Sequence, residues 1–189
     1  MQLYGIGDLH LSLGVPEKPM DIFHGWENYM QLLEQHWRAM VQPEDIVVLA
    51  GDLSWGMTLP QAKADFAFLE TLPGQKIILK GNHDYWWNSM KKMQQFFADN
   101  GFDSLHILHN NHYAFQQYGI CGTRGWVSIN GETADAKVLA REVQRLEVSI
   151  QSALKEQLTP IVFLHYPPIY GNSYNYEILE VLHRYAITE

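Results

Sequence analysis

Short apolar runs alternate with stretches of helical periodicity along the chain, and the main apolar runs end in small polar clusters. Runs of this length suit buried strands, whereas apolar residues that recur every three or four positions suit amphipathic helices. The predicted strands are 3–7, 46–50, 76–80, 105–108, 113–116, 118–121 and 161–164. The predicted helices are 26–41, 58–70, 87–98, 136–158 and 176–185. This order predicts a layered α/β fold, in which Asn110 and Asn111 form the turn of a hairpin.

Length and charge narrow the classes of protein that fit. The chain has 189 residues and a net charge of -8, from 13 Lys and Arg against 21 Asp and Glu, which argues for a single domain over 1–189. The acidic balance argues against broad electrostatic binding of nucleic acid or of an anionic membrane, but a bound metal could still attract an anionic substrate. The longest apolar run, 46–50, is far shorter than the ~20 residues of a membrane span. With no secretory signal and only Cys121 as a thiol, the expected location is a reducing cytoplasm.

Four of the predicted strands lead into polar clusters of one kind. The clusters are Gly7-Asp8-Leu9-His10, Gly51-Asp52-Leu53-Ser54, Gly81-Asn82-His83-Asp84 and His165-Tyr166-Pro167-Pro168. In open α/β sheets, sites form outside the carboxyl ends of the strands, so these clusters are expected to meet. Their donors combine hard oxygen atoms with imidazole, a mixture that suits Mn, Fe, Zn or Mg. The candidate metal ligands are Asp8, His10, Asp52, Asn82 and His165.

Each cluster by itself has a plainer interpretation. Asp8 and His10 could belong to a surface turn, and Asp52 could cap a helix. Asn82 could close a hydrogen-bonded turn, and His165 could be a histidine of the core. The coincidence of four such clusters with four strand ends favours the metal site.

The motifs resemble those of the calcineurin-like metallophosphoesterases. Asp8-Leu9-His10 matches the Asp-x-His motif of that family, and Gly51-Asp52 begins its Gly-Asp-x-x-Asp motif. Gly81-Asn82-His83-Asp84 matches Gly-Asn-His-Asp/Glu, and His165 matches a later metal-binding histidine. The resemblance covers nearly the whole chain and is nearest to a bacterial branch of predicted phosphohydrolases. It implies a layered β-sandwich flanked by helices.

The resemblance also implies roles for these residues. Two divalent ions, with Mn the first expectation, would assist hydrolysis of a small phosphorylated substrate, either a phosphomonoester or a phosphodiester. One ion would be held by Asp8, His10 and Asp52, and the other by Asp52, Asn82 and His165. His83 would protonate the leaving group, and Asp84 would hold the His83 imidazole in position.

The sequence departs from the family pattern at two places. Trp55 stands where most members have the second Asp of Gly-Asp-x-x-Asp, which we interpret as a subgroup feature. The closing Gly-His-x-His motif is absent, and the only histidine after His165 is His183. These observations predict a C-terminally truncated domain that folds but binds metal weakly. They also keep open an alternative function, a catalytically impaired scaffold or interaction protein with the same fold.

Two further features have open interpretations. Arg124 lies in the turn Gly122-Thr123-Arg124-Gly125-Trp126 and is either a phosphate-binding residue or a surface cation. The aromatic run Tyr85-Trp86-Trp87 follows the Gly-Asn-His-Asp motif. It could stack on a substrate, but packing in the core is the favoured interpretation.

Overall fold

The first of two compact units contains a four-stranded parallel sheet. The computed structural model describes residues 1–126, 133–171 and 173–187, and it divides into the units Met1–Ile107 and Leu108–Glu189. The strands of the first unit are β1 (Leu3–Ile6), β2 (Ile46–Leu49), β3 (Gln75–Ile78) and β4 (Leu105–Ile107). They pair in the order β1-β2-β3-β4, all parallel, so their carboxyl ends lie along one edge of the sheet.

Three helices connect these strands, and their ends follow local sequence signals. The helices are α1 (Tyr29–Met40), α2 (Leu59–Glu70) and α3 (Met90–Asn100). Thr58 caps α2 by accepting a hydrogen bond from the Gln61 N–H at 3.4 Å. The Gln61 side chain bonds back to the Met57 N–H at 2.9 Å, one residue before the position of a standard capping box. Gly101 ends α3 in the left-handed region, with a φ of 68°.

The core of the first unit is centred on Phe66 of α2. Its ring packs edge to face on Trp86 at 4.9 Å between centroids and on Phe97 of α3 at 5.1 Å. Phe66 and Trp86 are both almost fully buried, beneath the sheet strands that carry Leu49 and Ile78. Trp86 is therefore a core residue, as the favoured interpretation of its aromatic run predicts. Because Trp86 belongs to the loop after β3, the same packing holds that loop in place.

The second unit contains a mixed sheet covered by a long helix. Its strands are β5 (Tyr113–Phe115), β6 (Tyr118–Thr123), β7 (Thr159–Leu164), β8 (Ile169–Tyr170) and β9 (Ser173–Tyr174). Its helices are α4 (Thr133–Lys155) and α5 (Tyr176–Arg184). β6 pairs antiparallel with β5 and parallel with β7, whereas β8 and β9 form a separate hairpin. Leu146 and Ile150 of α4 pack against Cys121 of β6.

The α/β class is confirmed, but the predicted hairpin around Asn110 and Asn111 is wrong. β4 pairs in parallel with β3, and β5 instead forms a hairpin with β6. The turn of that hairpin contains Gln116, which has a φ of 53°. Both Leu105 and Ile107 of β4 are buried, and parallel pairing inside a sheet provides that burial where a two-stranded hairpin would not.

The sequence predicts no membrane-spanning segment. None of the helices in the described part of the chain combines the length and the apolar character that crossing a bilayer requires.

Candidate metal centre

The loops that follow β1 and β2 run side by side beyond the end of the sheet. The Asp8 N–H donates to the Gly51 carbonyl at 3.0 Å, and the His10 N–H donates to the Asp52 carbonyl at 2.9 Å. These bonds extend the parallel pairing of β1 with β2 into the two loops. The candidate ligands on the two loops are therefore held at about the spacing of paired strands.

The backbone is strained at all three candidate ligands on these loops. Asp8, His10 and Asp52 have φ angles of 57°, 46° and 53°, in the left-handed region. Such a conformation costs an L-residue roughly 1–2 kcal/mol, although Asp and His tolerate it better than most. Three strained residues in one small cluster indicate a functional constraint, because strain of this kind persists where the surrounding structure enforces it.

Asp8, His10 and Asp52 form the one candidate metal-binding group of His, Cys, Asp and Glu side chains among the described residues. Their ligand atoms all lie within 4.8 Å of one another. His10 Nε2 is 3.6 Å from Asp8 Oδ1 and 3.7 Å from Asp52 Oδ2, too long for hydrogen bonds. Ligands about 2.1 Å from one ion lie roughly 3–3.4 Å apart, so a small inward movement would suit a divalent ion. The donor set fits the metal that the motifs imply.

The environment of His10 favours the neutral imidazole that a metal ligand requires. Burial lowers the pKa of His10, and the nearby carboxylates of Asp52 and Asp8 oppose that change. The ring stacks on Trp55 at 4.8 Å between centroids, with 24° between the planes. Trp55 occupies the position where most members of the resembled family have a carboxylate. In this chain the residue at that position packs against the candidate ligand His10.

The loop after β3 holds Asp52 from its other side. The His83 N–H donates to Asp52 Oδ1 at 2.8 Å, which leaves Oδ2 facing His10. A Cβ on Gly81 would lie 2.1 Å from Asp52 Oδ1, so a side chain at this position would displace the carboxylate. Asn82, the predicted neutral ligand, lies half-buried between Gly81 and His83.

The His83 ring lies beside the ligand cluster. Its centroid is 5.9 Å from that of His10 and 5.1 Å from that of Trp55. Its Nδ1 is buried and makes no hydrogen bond within the described structure. The exposed ring of Tyr85 stands edge-on to it at 6.0 Å. His83 is therefore next to the ligands, where the predicted acid must be.

The Asp84 carboxylate accepts four hydrogen bonds from the loops of the site. Its Oδ2 accepts hydrogen bonds from the N–H groups of Asp52 at 2.9 Å and Gly81 at 2.7 Å. Its Oδ1 accepts from the Leu53 N–H at 2.9 Å and from Trp86 Nε1 at 3.0 Å. No hydrogen bond joins Asp84 to the His83 imidazole among the described contacts, and the orienting role of Asp84 stays a prediction. Asp84 fastens the backbones of two site loops together.

The burial of Asp84 has an electrostatic cost. Desolvation raises the pKa of Asp84, while the N–H groups that donate to it act in the opposite direction. Its four bonds all come from N–H donors, so every one of them requires an acceptor on the carboxyl group. The ionised carboxylate offers acceptors on both oxygens, and the clamp is therefore built for that form.

Two supporting residues were not predicted from the sequence. Asp65 of α2 is fully buried and accepts hydrogen bonds from the Leu13 N–H at 2.8 Å and from the Ser54 hydroxyl. It thereby ties the loops after β1 and β2 to α2. The hydroxyl of Tyr29 donates to the His10 carbonyl at 3.2 Å. In the sequence, a structural role for Asp65 is indicated only by its position next to Phe66 on the buried face of α2.

The remaining candidates lie in the second unit. Arg124 follows β6 and His165 follows β7, which are paired strands, and the Tyr166 N–H donates to the Arg124 carbonyl at 2.8 Å. Arg124 Nη2 lies 3.6 Å from Glu142 Oε1, so Arg124 is held by an internal carboxylate. The metal-ligand role of His165 and the substrate-binding role of Arg124 stay predictions.

Comparisons with known proteins identify a family. No curated protein matches the chain significantly. A solved structure from Aquifex aeolicus, the protein of unknown function AQ665, is 18% identical over 86% of this chain and 89% of its own, with a TM-score of 0.44. The family model of the calcineurin-like phosphoesterases matches residues 1–186. This match extends over nearly the whole chain, including every motif that carries the predicted ligands, and so the chain belongs to the calcineurin-like phosphoesterase family.

Proposed function

We propose that this chain hydrolyses a phosphomonoester or a phosphodiester with the help of bound divalent metal ions. The observation that carries the proposal is the group of Asp8, His10 and Asp52, whose ligand atoms lie within 4.8 Å of one another on two hydrogen-bonded loops. Membership of the calcineurin-like phosphoesterase family supports the same reaction class. Divalent ions, when bound, lower the pKa of a coordinated water and withdraw charge from phosphoryl oxygens.

The residues proposed to hold the metal differ in how exposed their side chains are. Asp8 is the exposed member of the group, with 63% of its side chain accessible, whereas Asp52 is only 3% exposed. Substrate would therefore approach from the Asp8 side, and Asp52 would be the ligand that the protein fixes most firmly. A second ion held by Asp52, Asn82 and His165 remains part of the proposal on the strength of the motifs, with Mn as the first candidate.

His83 is our candidate for the proton donor to the leaving group. Its backbone N–H is fixed on Asp52, and its ring packs between the rings of Trp55 and Tyr85. An imidazole held in this way is positioned to act as a general acid. The role requires no metal contact from His83 itself.

The proposal is tested by hydrolysis assays with metal removed and restored. The full chain is treated with a chelator, reloaded with Mn²⁺, and assayed with p-nitrophenyl phosphate and bis-p-nitrophenyl phosphate. We expect activity toward at least one ester that is lost with the chelator and restored by Mn²⁺. Asp52→Asn should lower it by more than about 100-fold, because a ligand is removed.

Asp103→Asn is the matched control, because Asp103 is an exposed carboxylate of the same unit. It should retain the activity of the parent chain. If the chain binds Mn²⁺ but hydrolyses neither ester, the proposal is wrong and the alternative of a catalytically impaired scaffold is favoured.

A further inference from the structure

Two N–H donors in the loop after β6 are buried without an acceptor in the described part of the chain. They are Arg124 Nε and Trp126 Nε1, two residues apart. A buried polar group without a hydrogen bond is uncommon and costs about 1–3 kcal/mol, so each such group needs an explanation. Neither guanidinium nor indole nitrogen can accept a hydrogen bond. Whatever satisfies this pair must therefore supply acceptor atoms.

The charges around Arg124 favour an anionic acceptor. Glu142 of α4 is buried and interacts with two arginines, Arg124 at 3.6 Å and Arg145 at 2.5 Å. One carboxylate between two guanidinium groups leaves an excess of one positive charge among these three side chains. The Arg124 side chain is only 16% exposed, so this charge is poorly screened by water. The excess stands out in a chain whose net charge is -8.

The backbone that carries the two donors is pinned in place. Gly125, between them, has a φ of 70°, and a Cβ there would lie 3.0 Å from the Tyr166 carbonyl oxygen. The Asn175 side-chain amide donates to the Trp126 carbonyl at 2.6 Å, and its oxygen caps α5. The loop is thus preorganised by its neighbours, which lowers the entropy cost of binding a ligand.

The contact between the two side chains does not satisfy their N–H groups. The Arg124 guanidinium carbon lies 4.8 Å from the centre of the Trp126 ring, in a cation–π arrangement. That contact uses the face of the indole and the π side of the guanidinium. The Nε and Nε1 hydrogens lie at the edges of these planar groups and still need acceptors.

We propose that the loop after β6 binds a phosphoryl-type oxyanion, which accepts hydrogen bonds from Arg124 Nε and Trp126 Nε1. A phosphoryl group offers several charged acceptor oxygens, and hydrogen bonds from arginine to such oxygens are among the stronger ones in proteins. Glu142 positions the arginine without cancelling the whole local charge. The proposal rests on the proposed function for the choice of a phosphoryl anion, and it assigns that anion a contact with residues that are not proposed metal ligands.

Nuclear magnetic resonance provides a direct test, because both donors carry an observable ¹⁵N–H group. The full chain, ¹⁵N-labelled and treated with a chelator, is titrated with inorganic phosphate and, separately, with phenylphosphonate. We expect the Arg124 Nε–H and Trp126 Nε1–H signals to move together and to saturate at one dissociation constant. The indole signal of Trp37 is an internal control that should not move, since Trp37 Nε1 already donates to the Pro73 carbonyl at 3.0 Å.

Variants distinguish anion binding through the two N–H donors from attraction by the local positive charge alone. Arg124→Lys keeps the charge but loses the Nε–H, and we expect phosphate binding to weaken by about tenfold or more. Trp126→Phe removes one N–H and keeps a ring, and we expect a weakening of several-fold. Arg145→Lys is the matched control, because it changes the other arginine on Glu142 and should leave the affinity within about twofold of the parent value.

The outcomes are distinct from those of the hydrolysis assay. Saturation by phenylphosphonate supports a contact with the phosphoryl group of a substrate, and saturation by phosphate alone supports a site for the free anion. The proposal is overturned if neither anion moves the two signals, or if Arg145→Lys weakens binding as much as Arg124→Lys does. Because the titration uses metal-free protein, it can fail while metal-dependent hydrolysis is observed, and the reverse also holds.

Discussion

At the scale of single residues, the candidate centre is defined by carboxylates with unlike surroundings. Asp8 is exposed, Asp52 is buried against two loops, and Asp84 is buried and fully hydrogen-bonded. An exposed carboxylate can move toward an ion, whereas the two buried ones are held in place. The strained φ angles of Asp8 and Asp52 show that the backbone itself is shaped to present these groups.

Asp84→Asn tests the clamp between the loops. The amide would place an NH₂ group where the carboxylate accepts two N–H bonds, for example those of Asp52 and Gly81. We expect the free energy of unfolding to fall by a few kcal/mol, since buried donors would lose their acceptors. Urea denaturation measures this change, and Asp103→Asn is the control for an exposed carboxylate. An unchanged unfolding midpoint for Asp84→Asn would show that the clamp contributes nothing.

His83→Ala tests the proton donor. We expect the metal content to stay unchanged and kcat to fall by about 10²–10⁴-fold, the usual effect of a positioned acid. The loss should be smaller for a nitrophenolate leaving group, which needs little protonation, than for an alkoxide. Steady-state assays with both types of ester, together with metal analysis, check this. Equal losses for both leaving groups would exclude the acid role.

At the scale of elements, the loops of the centre depend on helix α2 and strand β3. Asp65 of α2 reaches both the loop after β1 and the loop after β2. Lys76 of β3 is fully buried and donates to the Leu72 carbonyl and to Ser104 Oγ. Each is a buried titratable residue, and substitution of each has a measurable consequence.

Asp65→Asn should disturb the metal without contacting it. The amide reverses the polarity of the bond to Ser54, whose hydroxyl already accepts from the Gly56 N–H. We expect Mn²⁺ affinity to fall by about 10–100-fold, the usual effect of changing a residue that supports a ligand. The visible spectrum of the Co²⁺-substituted protein should also change, and Lys63→Gln on the exposed side of α2 should change neither. A lowered melting temperature with an unaltered Co²⁺ spectrum would reduce Asp65 to a purely structural residue.

Lys76 predicts a specific dependence of stability on pH. Burial lowers the pKa of Lys76 from 10.5 to about 8, an effect that Glu70 opposes and Arg38 increases. Between those pH values the unfolded chain binds more protons than the folded one, so this group makes stability rise with pH. The gain should be on the order of 1–3 kcal/mol.

The comparison with Lys76→Met isolates this effect from other alkaline titrations. Urea unfolding at pH 7.5, 9 and 10 gives the stability difference between the parent chain and Lys76→Met. We expect that difference to shift in favour of the parent as the pH rises. Lys63→Met is the exposed control and should show no such trend. A difference that is independent of pH would show that Lys76 has an ordinary pKa.

At the scale of the whole molecule, the sequence predicts most elements because their signals are local. The apolar runs of β1, β2 and β3 and the periodicity of α4 are visible within a few residues, and the structure places these elements within a few residues of their expected bounds. The pairing of β4 was mispredicted, because Asn110 and Asn111 resemble a hairpin turn while the true partner, β3, lies about 30 residues earlier.

The candidate site shows the same division between local and distant signals. The family resemblance implies that Asp8, His10 and Asp52 bind one ion, and the structure brings their ligand atoms together. The clamp of Asp84 and the tie of Asp65 could not be predicted, because both consist of bonds to loops distant in sequence. Patterns of residue types indicate which groups perform chemistry, whereas supporting roles depend on tertiary contacts.

The most direct test of this account is a count of bound metal in the parent chain and in two ligand variants. Asp52 is the only carboxylate assigned to both proposed ions, and Asp8 is assigned to one. After dialysis against Mn²⁺, elemental analysis should find that Asp52→Asn has lost metal from both sites, while Asp8→Asn has lost mainly one equivalent. Full and equal occupancy in Asp52→Asn and the parent chain would contradict the account.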